Sequence, residues 1–335
     1  MLQPVAGDRS YCVRVTRILR LLAAVAAVLS LGVHAQPGAN HVLRIVVPLP
    51  AGGTSDVVAR LLADGLRDGF AQSIVVENRP GASGRIAVEA LRSAAPDGNT
   101  LLFAPIAVPV IVPLVFRDVR YDPAKDLVPV AQVARFEYGL AVAPDHPARS
   151  VAEFVAWAKA NPARATFGSP GNGSIPHFLG AMLGRTGGTD LVHVAYKGAA
   201  PVEADVMNGQ LAAGVSSLSD FLALERTGRL RVLATSGPKR SAVLPAVPTF
   251  REQGYPSIEA TGWHGVFAPA GTPQPAVDRL SAAIVAALQD RALREKLRTL
   301  GIEPTGTTPQ ALAAIIAADT VRWRGIVKAT GFAAE

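Results

Sequence analysis

Residues 43–66, LRIVVPLPAGGTSDVVARLLADGL, decide the class of the fold. The apolar run at 43–47 predicts a buried strand, and the prolines and glycines of 48–53 end it. Apolar residues at 57, 58, 61, 62 and 66 then follow helical spacing. A strand, a loop of small residues and a helix in this order are typical of an α/β fold with a parallel sheet.

The same unit recurs along the chain. Further strands are predicted at 73–77, 99–103, 136–143, 165–168, 191–195, 211–215, 231–235 and 261–268. Further helices are predicted at 85–93, 151–160, 175–183, 201–207, 221–226, 274–289, 291–300 and 309–330. The last three helices follow without a strand between them, and Thr272 is expected to cap the first of them, with Pro273 at its first position. We therefore expect mostly parallel sheets flanked by helices.

The most economical layout has two lobes. Residues 36–138 and 261–335 would form the first lobe, and residues 139–260 the second. The chain would then cross between the lobes near Tyr138 and near Trp263, and a paired crossing makes a hinge.

The first 35 residues are typical of a secretory signal. Four arginines precede an uncharged apolar run at 21–33, too short to cross a bilayer, and Val33-His34-Ala35 suits cleavage before Gln36. The alternative is a buried N-terminal helix. Cleavage would remove Cys12, the one cysteine, so the mature chain would have neither a disulfide nor a thiolate metal site. We expect an exported, periplasmic protein.

Charge and motifs exclude several functions. The net charge of +7 would fall to about +4 without the signal, and no basic cluster is interleaved with aromatics, so nucleic acid is not an expected partner. The sequence has no G-x-S-x-G elbow, phosphate-binding P-loop or H-E-x-x-H motif. We expect a monomer that is not an enzyme and that has no cofactor and no metal.

Three loops between a strand and a helix could hold an anion. Such junctions direct free backbone N–H groups and the positive end of a helix dipole outward. Helix capping alone is the alternative for each loop, and also for Asp56 in the first helical turn. The loop residues are Ala51, Gly52, Gly53, Thr54 and Ser55; Gly81, Ala82, Ser83 and Gly84; and Ser169, Gly171, Asn172, Gly173 and Ser174.

Several motifs together resemble those of the substrate receptors of tripartite tricarboxylate transporters, the Bordetella uptake gene (Bug) family. They are IVVP at 45–48 with GGTSD at 52–56, VENRPGA at 76–82, PDGNTLL at 96–102, YKG at 196–198 and APAGTP at 268–273. The resemblance extends in order over the mature chain. It implies a two-lobed periplasmic binding protein of type II, a Venus flytrap, that binds organic anions largely through backbone groups and ordered water.

On this sequence, the resemblance places the carboxylate loops at 51–56 and 81–84, with 169–174 opposite. It adds Ala104, His177, Tyr196, Lys197 and Ser216 as candidate ligand contacts. His177 could instead be a satisfied helix histidine, Lys197 a solvated lysine and Tyr196 a core residue. Ser216 and Ser217 stand where an acidic residue is common in the family, which makes an amino acid a less favoured ligand.

The sequence thus predicts an extracytoplasmic receptor that captures a mono-, di- or tricarboxylate and delivers it to the membrane subunits of a tripartite transporter. One alternative is a ligand sensor that presents its closed form to the ectodomain of a membrane kinase. Another is an exported enzyme acting on organic acids.

Overall fold

The computed structural model describes residues 42–67, 69–70 and 73–332. The predicted secretory signal and its cleavage site lie outside these residues. Within the described part of the chain, no helix combines the length and the apolar character that crossing a bilayer requires.

Strands and helices alternate over most of the described chain. The strands are β1 (Val42–Val47), β2 (Ser73–Asn78), β3 (Thr100–Pro105), β4 (Leu127–Val142), β5 (Thr166–Ser169), β6 (Val192–Ala195), β7 (Ala213–Ser217), β8 (Arg231–Thr235), β9 (Thr261–Pro269) and β10 (Ile302–Pro304). The helices are α1 (Thr54–Arg67), α2 (Arg85–Arg92), α3 (Val112–Val115), α4 (Pro123–Asp126), α5 (Val151–Ala160), α6 (Ile175–Gly187), α7 (Ala199–Met207), α8 (Leu218–Arg226), α9 (Gln274–Ala287), α10 (Arg291–Thr299) and α11 (Pro309–Thr330).

These strands join in one sheet of order β2-β1-β3-β9-β4-β7-β5-β6, with β10 and β8 also paired to β4. The outer strands at both ends of this order, β2-β1-β3 and β7-β5-β6, are parallel. Every antiparallel pair of the described residues involves β4 or β9. The predicted α/β class with parallel strands is confirmed, and its antiparallel pairs lie on the two strands that carry the predicted crossings.

The long strand β4 connects the two halves of the sheet. Its residues 127–137 pair with β9, and its residues 138–142 pair with β7 and β8. The change of partner falls between Glu137, opposite Thr261, and Tyr138, opposite Ser217. Of the two predicted crossing points, Tyr138 lies on β4 and Trp263 lies on β9.

The last helix packs against the middle of the chain. Thr308 caps α11, where its Oγ1 accepts a hydrogen bond from the Ala311 N–H at 3.2 Å. Trp323 of α11 is fully buried, and its ring centroid lies 6.1 Å from that of Phe178 in α6. This contact belongs to one core that includes side chains from both halves of the sheet.

Two strand predictions need correction. The strand expected at 136–143 begins at Leu127. Its first part was not predicted because Pro129 interrupts the apolar pattern. The sheet accommodates this proline at an irregularity where the β4–β9 register shifts. The helices at the end of the chain were expected to carry no strand, but β10 pairs with β4 between α10 and α11. Three residues are too few to give a periodic signal.

The predicted cap of α9 is also wrong. Thr272 Oγ1 donates to the Pro269 carbonyl at 2.8 Å and makes no cap. Pro273 takes the cap position with extended backbone, φ −59° and ψ 138°, and the helix begins at Gln274. The hydroxyl of Thr272 therefore closes the turn after β9 instead.

Candidate functional site

A buried carboxylate holds the loop between β1 and α1. Asp56 Oδ2 accepts from the Gly52 N–H at 2.9 Å and from Arg60 Nε at 3.0 Å, and Oδ1 accepts from Asn78 Nδ2 at 2.9 Å. Asn78 also donates to the Leu49 carbonyl at 3.0 Å. Burial alone would raise the pKa of Asp56, but the hydrogen bonds from Arg60, Gly52 and Asn78 outweigh it and lower the pKa. Asp56 is therefore ionised, and its hydrogen bonds hold the loop in place.

The same loop presents the start of α1. Residues 51–53 are exposed, Thr54 is partly exposed and Ser55 is buried. The Val57 N–H makes the first helical bond, to the Gly53 carbonyl at 3.0 Å. The N–H groups of the three preceding helical residues therefore have no acceptor within the helix, and they lie at the positive end of its dipole.

The loop after β2 has an unusual backbone. Gly81, Ala82, Ser83 and Gly84 all have positive φ, at 123°, 45°, 56° and 91°. Two of them are not glycine, so this conformation is strained and needs support from its surroundings. A Cβ at Gly84 would lie 2.8 Å from a methyl carbon of Val108, so this position has no room for a side chain. The first three residues are exposed beside the carboxyl end of β1.

The hydroxyls of the loop after β5 bond mainly within the loop. Ser169 Oγ donates to the Gly171 carbonyl at 3.0 Å and lies 2.7 Å from His193 Nε2. Ser174 Oγ donates to the same carbonyl at 2.7 Å and accepts from the His177 N–H at 3.3 Å, which caps α6. These two serines shape the loop more than they offer free donors.

His177 matches the description of a satisfied helix histidine. Its Nδ1 accepts from the Gly173 N–H at 3.1 Å, and its ring stacks on His193 with centroids 3.8 Å apart. Burial lowers the pKa of His177 to about 4, so the ring is neutral near pH 7. Phe332 places its ring edge-on to the same histidine at 4.8 Å, and Asn172 at the tip of the loop is exposed.

Three other candidates lie in different environments. Tyr196 donates its hydroxyl to Asp205 Oδ2 at 2.5 Å, which directs the ring toward α7. Lys197 is exposed, whereas Ala104 is fully buried in β3 opposite Gly265. Ala104 thus lies in the strand next to β1, and Tyr196 lies beside the loop at 169–174, where its backbone N–H donates to the Ser169 carbonyl at 2.9 Å.

Ser216 lies next to a side-chain contact between the two halves of the sheet. Its Oγ donates to Asp220 Oδ2 at 2.5 Å, and Thr54 Oγ1 donates to Oδ1 of the same carboxylate at 2.7 Å. Thr54 Oγ1 also lies 2.9 Å from Ser219 Oγ. The start of α1 and the start of α8 are thus in direct hydrogen-bond contact.

Asp220 is the residue that sequence reasoning missed. The two serines of β7 suggested that an acid was absent here, but Asp220 supplies one in the first turn of the following helix. Burial raises the pKa of Asp220 despite its hydrogen bonds, and burial and Asp220 together raise the pKa of Glu203 to about 7. A sequence signal existed: Ser219-Asp220 repeats the Ser55-Asp56 pair at the start of a helix.

Ser55 connects the first loop to β9. Its Oγ lies 2.8 Å from His264 Nε2, and both residues are buried. Over the described ranges, no group of three His, Cys, Asp or Glu side chains is arranged to hold a metal ion.

Comparisons with known proteins identify the family. Residues 58–332 match the family model described as the tripartite tricarboxylate transporter family receptor. Protein BugT of Bordetella pertussis is 36% identical over 290 residues, 86% of this chain and 89% of that protein.

Solved structures agree with this match. A protein of R. palustris with adipate has a TM-score of 0.83 at 34% identity, over 87% of this chain and 97% of that chain. MatC from Rhodopseudomonas palustris with bound malate has a TM-score of 0.79 at 29% identity, over 85% and 98%. The predicted periplasmic-binding-protein fold is confirmed. The prediction that the protein belongs to a family of receptors, and not of enzymes, is also confirmed. The chain belongs to the family of tripartite tricarboxylate transporter receptors.

Proposed function

We propose that this protein is a periplasmic receptor that captures a small organic anion through its carboxylate and delivers it to a tripartite transporter. The observation that carries the proposal is the contact of Thr54 with Ser219 and Asp220. It brings a helix N-terminus from each half of the sheet to one place, as expected for two sides of a cleft in a closed state.

The proposed lobes follow the change of partner on β4. Residues up to 138 and from 261 onward form the first lobe, and residues 139–260 form the second. Bending would be concentrated where β4 passes from β9 to β7 and β8. A hinge at two adjacent strands permits closure around a ligand by bending at those strands.

The proposed ligand group is a carboxylate at loops 51–56 and 81–84. The first loop offers the N–H groups of a helix N-terminus, and Asp56 is engaged by three donors and does not point a bare charge at the anion. Relatives of this fold with adipate and with malate support a carboxylate as the ligand. Loop 169–174, with Ser216, would complete the opposite wall.

Energetics favour closure over binding at an open surface. Micromolar affinity requires about −8 kcal/mol, a large amount for a ligand of about ten heavy atoms. Hydrogen bonds to a charged group strengthen when water is excluded. Two lobes that close on the ligand supply this exclusion.

A thermal-shift screen of mono-, di- and tricarboxylates, including adipate and malate, tests the ligand class. A ligand at about 100 times its Kd adds about 2.7 kcal/mol, which corresponds to a rise in Tm of roughly 5–10 °C. The analogue of each hit in which every carboxylate is replaced by an amide is the matched neutral control. If no carboxylate raises the Tm more than its amide analogue, the proposed ligand class is wrong.

A pair of variants at Gly53 tests the loop. Gly53 precedes the first residue of α1 and is exposed, and a Cβ built there would meet only the Pro50 carbonyl oxygen, at an ordinary contact distance of 3.8 Å, so Asp and Asn both fit there as helix caps. Gly53→Asp should retain the fold but lose carboxylate binding through charge repulsion, whereas Gly53→Asn should bind well. Equal affinities would place the carboxylate elsewhere. Co-purification with transporter subunits or with a kinase ectodomain decides the partner.

A further inference from the structure

His264 lies behind the first loop, 1% exposed, between two aromatic rings. The ring centroids of Phe103 and Phe136 are 5.0 and 4.8 Å from that of the imidazole. Its Nε2 lies 2.8 Å from Ser55 Oγ, and its Nδ1 has no hydrogen-bond partner among the described residues. Burial lowers the pKa of His264 to about 3, so the ring is neutral near pH 7 and carries one proton.

The two neutral tautomers differ in what they leave unpaired. With the proton on Nδ1, Nε2 accepts from the Ser55 hydroxyl, and a buried N–H donor has no acceptor. With the proton on Nε2, that N–H donates to Ser55 Oγ, and only a lone pair on Nδ1 is unfilled. Buried N–H groups without an acceptor are the rarer of the two in proteins. The structure therefore favours the proton on Nε2.

This tautomer fixes the role of the serine. Once Ser55 Oγ accepts from His264, its own proton must go to another acceptor, and the described residues provide no other hydrogen bond to this oxygen. Ser55 lies in the first turn of α1, within the loop proposed to hold the carboxylate. A carboxylate oxygen is the acceptor that this position lacks.

We propose that His264 is a positioning residue: it donates Nε2–H to Ser55 Oγ and thereby makes the Ser55 hydroxyl a dedicated donor to the ligand carboxylate. The ligand in this inference rests on the proposed function. The direction of the hydrogen bond between His264 and Ser55 rests on the buried histidine alone. It gives β9, a strand of the proposed hinge, a direct contact with the anion loop.

The direction of the hydrogen bond is measured in the free protein. With ¹⁵N-labelled histidine, the one-bond N–H coupling of the His264 ring identifies the nitrogen that carries the proton, and the His264→Phe spectrum assigns the signal. We expect the proton on Nε2. A proton on Nδ1 overturns the inference whatever the protein binds.

A double-mutant cycle measures the effect on binding, with adipate or else the tightest carboxylate of the panel as the probe. Ser55→Ala should weaken binding about tenfold to a hundredfold, the range expected for a hydrogen bond to a charged group. His264→Phe, which keeps a flat ring, should weaken binding in the Ser55 protein but add nothing to Ser55→Ala. His264→Gln, which retains an N–H donor, should recover part of the loss.

The outcomes separate the two proposals. An equal loss from His264→Phe in both backgrounds would show a packing role and refute the positioning role. Ser281→Ala, at a buried serine of α9, is the control and should leave the affinity unchanged. If no carboxylate binds the unaltered protein, the proposed function and the ligand half of this inference fail together, while the tautomer measurement still decides the direction of the bond.

Discussion

Replacing Asp56 by Asn tests how the first loop is built. The side chain of Asp56 is 4% exposed, and its two oxygens accept from Gly52, Arg60 and Asn78. The amide oxygen of an asparagine can keep the bond from Asn78. Its NH₂ group then faces the N–H donors of Gly52 and Arg60, so two hydrogen bonds to a charged group are lost.

Each such bond contributes about 1.5–3 kcal/mol. Gly52 is exposed and Arg60 is 50% exposed, so water partly replaces the lost bonds, and the lower end of the range applies. We expect Asp56→Asn to lower the free energy of unfolding by about 2–3 kcal/mol and the Tm by roughly 4–12 °C. Urea denaturation at pH 7, followed by far-UV circular dichroism, measures the difference.

The matched control is Asp64→Asn, in the same helix. Asp64 pairs with Arg67, but its side chain is 62% exposed, so the change should be within about 0.5 kcal/mol. The pKa of Asp56 is lowered in the folded protein, so its contribution is present above its ordinary pKa of 3.8 and is lost as the pH falls through the folded value. Equal stabilities of the two variants at pH 7 would refute the bracing role.

Three further outcomes are expected. Gly84→Ala, at φ 91° and with a valine methyl 2.8 Å from the new Cβ, should destabilise the protein more than Gly209→Ala, at φ 69° in open space, as chemical denaturation of both variants can show. Burial raises the pKa of Glu137 to about 7 from its ordinary 4.5, so the free energy of unfolding should fall as the pH rises from 4.5 to 7. Glu137→Gln should remove this slope in pH-dependent unfolding, and an unchanged slope would contradict this cause. Thr54→Val removes the hydroxyl that donates to Asp220, so small-angle scattering should report a more open ligand-free form than for the unaltered protein.

The sequence predicts the repeating units well because each is local. A strand, a loop and a helix together occupy about 25 consecutive residues, so the local pattern of apolar residues indicates them. Helix α11, for example, was predicted at its observed bounds. The first half of β4 was missed because Pro129 interrupts the pattern, and only pairing with β9 makes that segment a strand. Tertiary partners, not propensity, decide such segments.

Within the candidate site, the position of the loops in the fold could be predicted, but the side-chain contacts of these loops could not. Small residues and glycines indicate where a backbone can be approached, which located the loops at 51–56 and 81–84. The contacts of Thr54 with Asp220 and of Ser55 with His264 join residues 166 and 209 positions apart. No local pattern encodes such a distance, so the acid of the second half was overlooked and His264 remained an unassigned histidine.

The uninterrupted strand β4 has a mechanical consequence. At the change of partner, the Tyr138 N–H donates to Ser236 Oγ at 2.9 Å, and that hydroxyl donates to the Ala260 carbonyl at 2.6 Å. Three segments of backbone are thus fastened together where the proposed hinge bends. These bonds have ordinary lengths in the arrangement where Thr54 contacts Asp220, so opening of the proposed cleft would deform them and they would resist it.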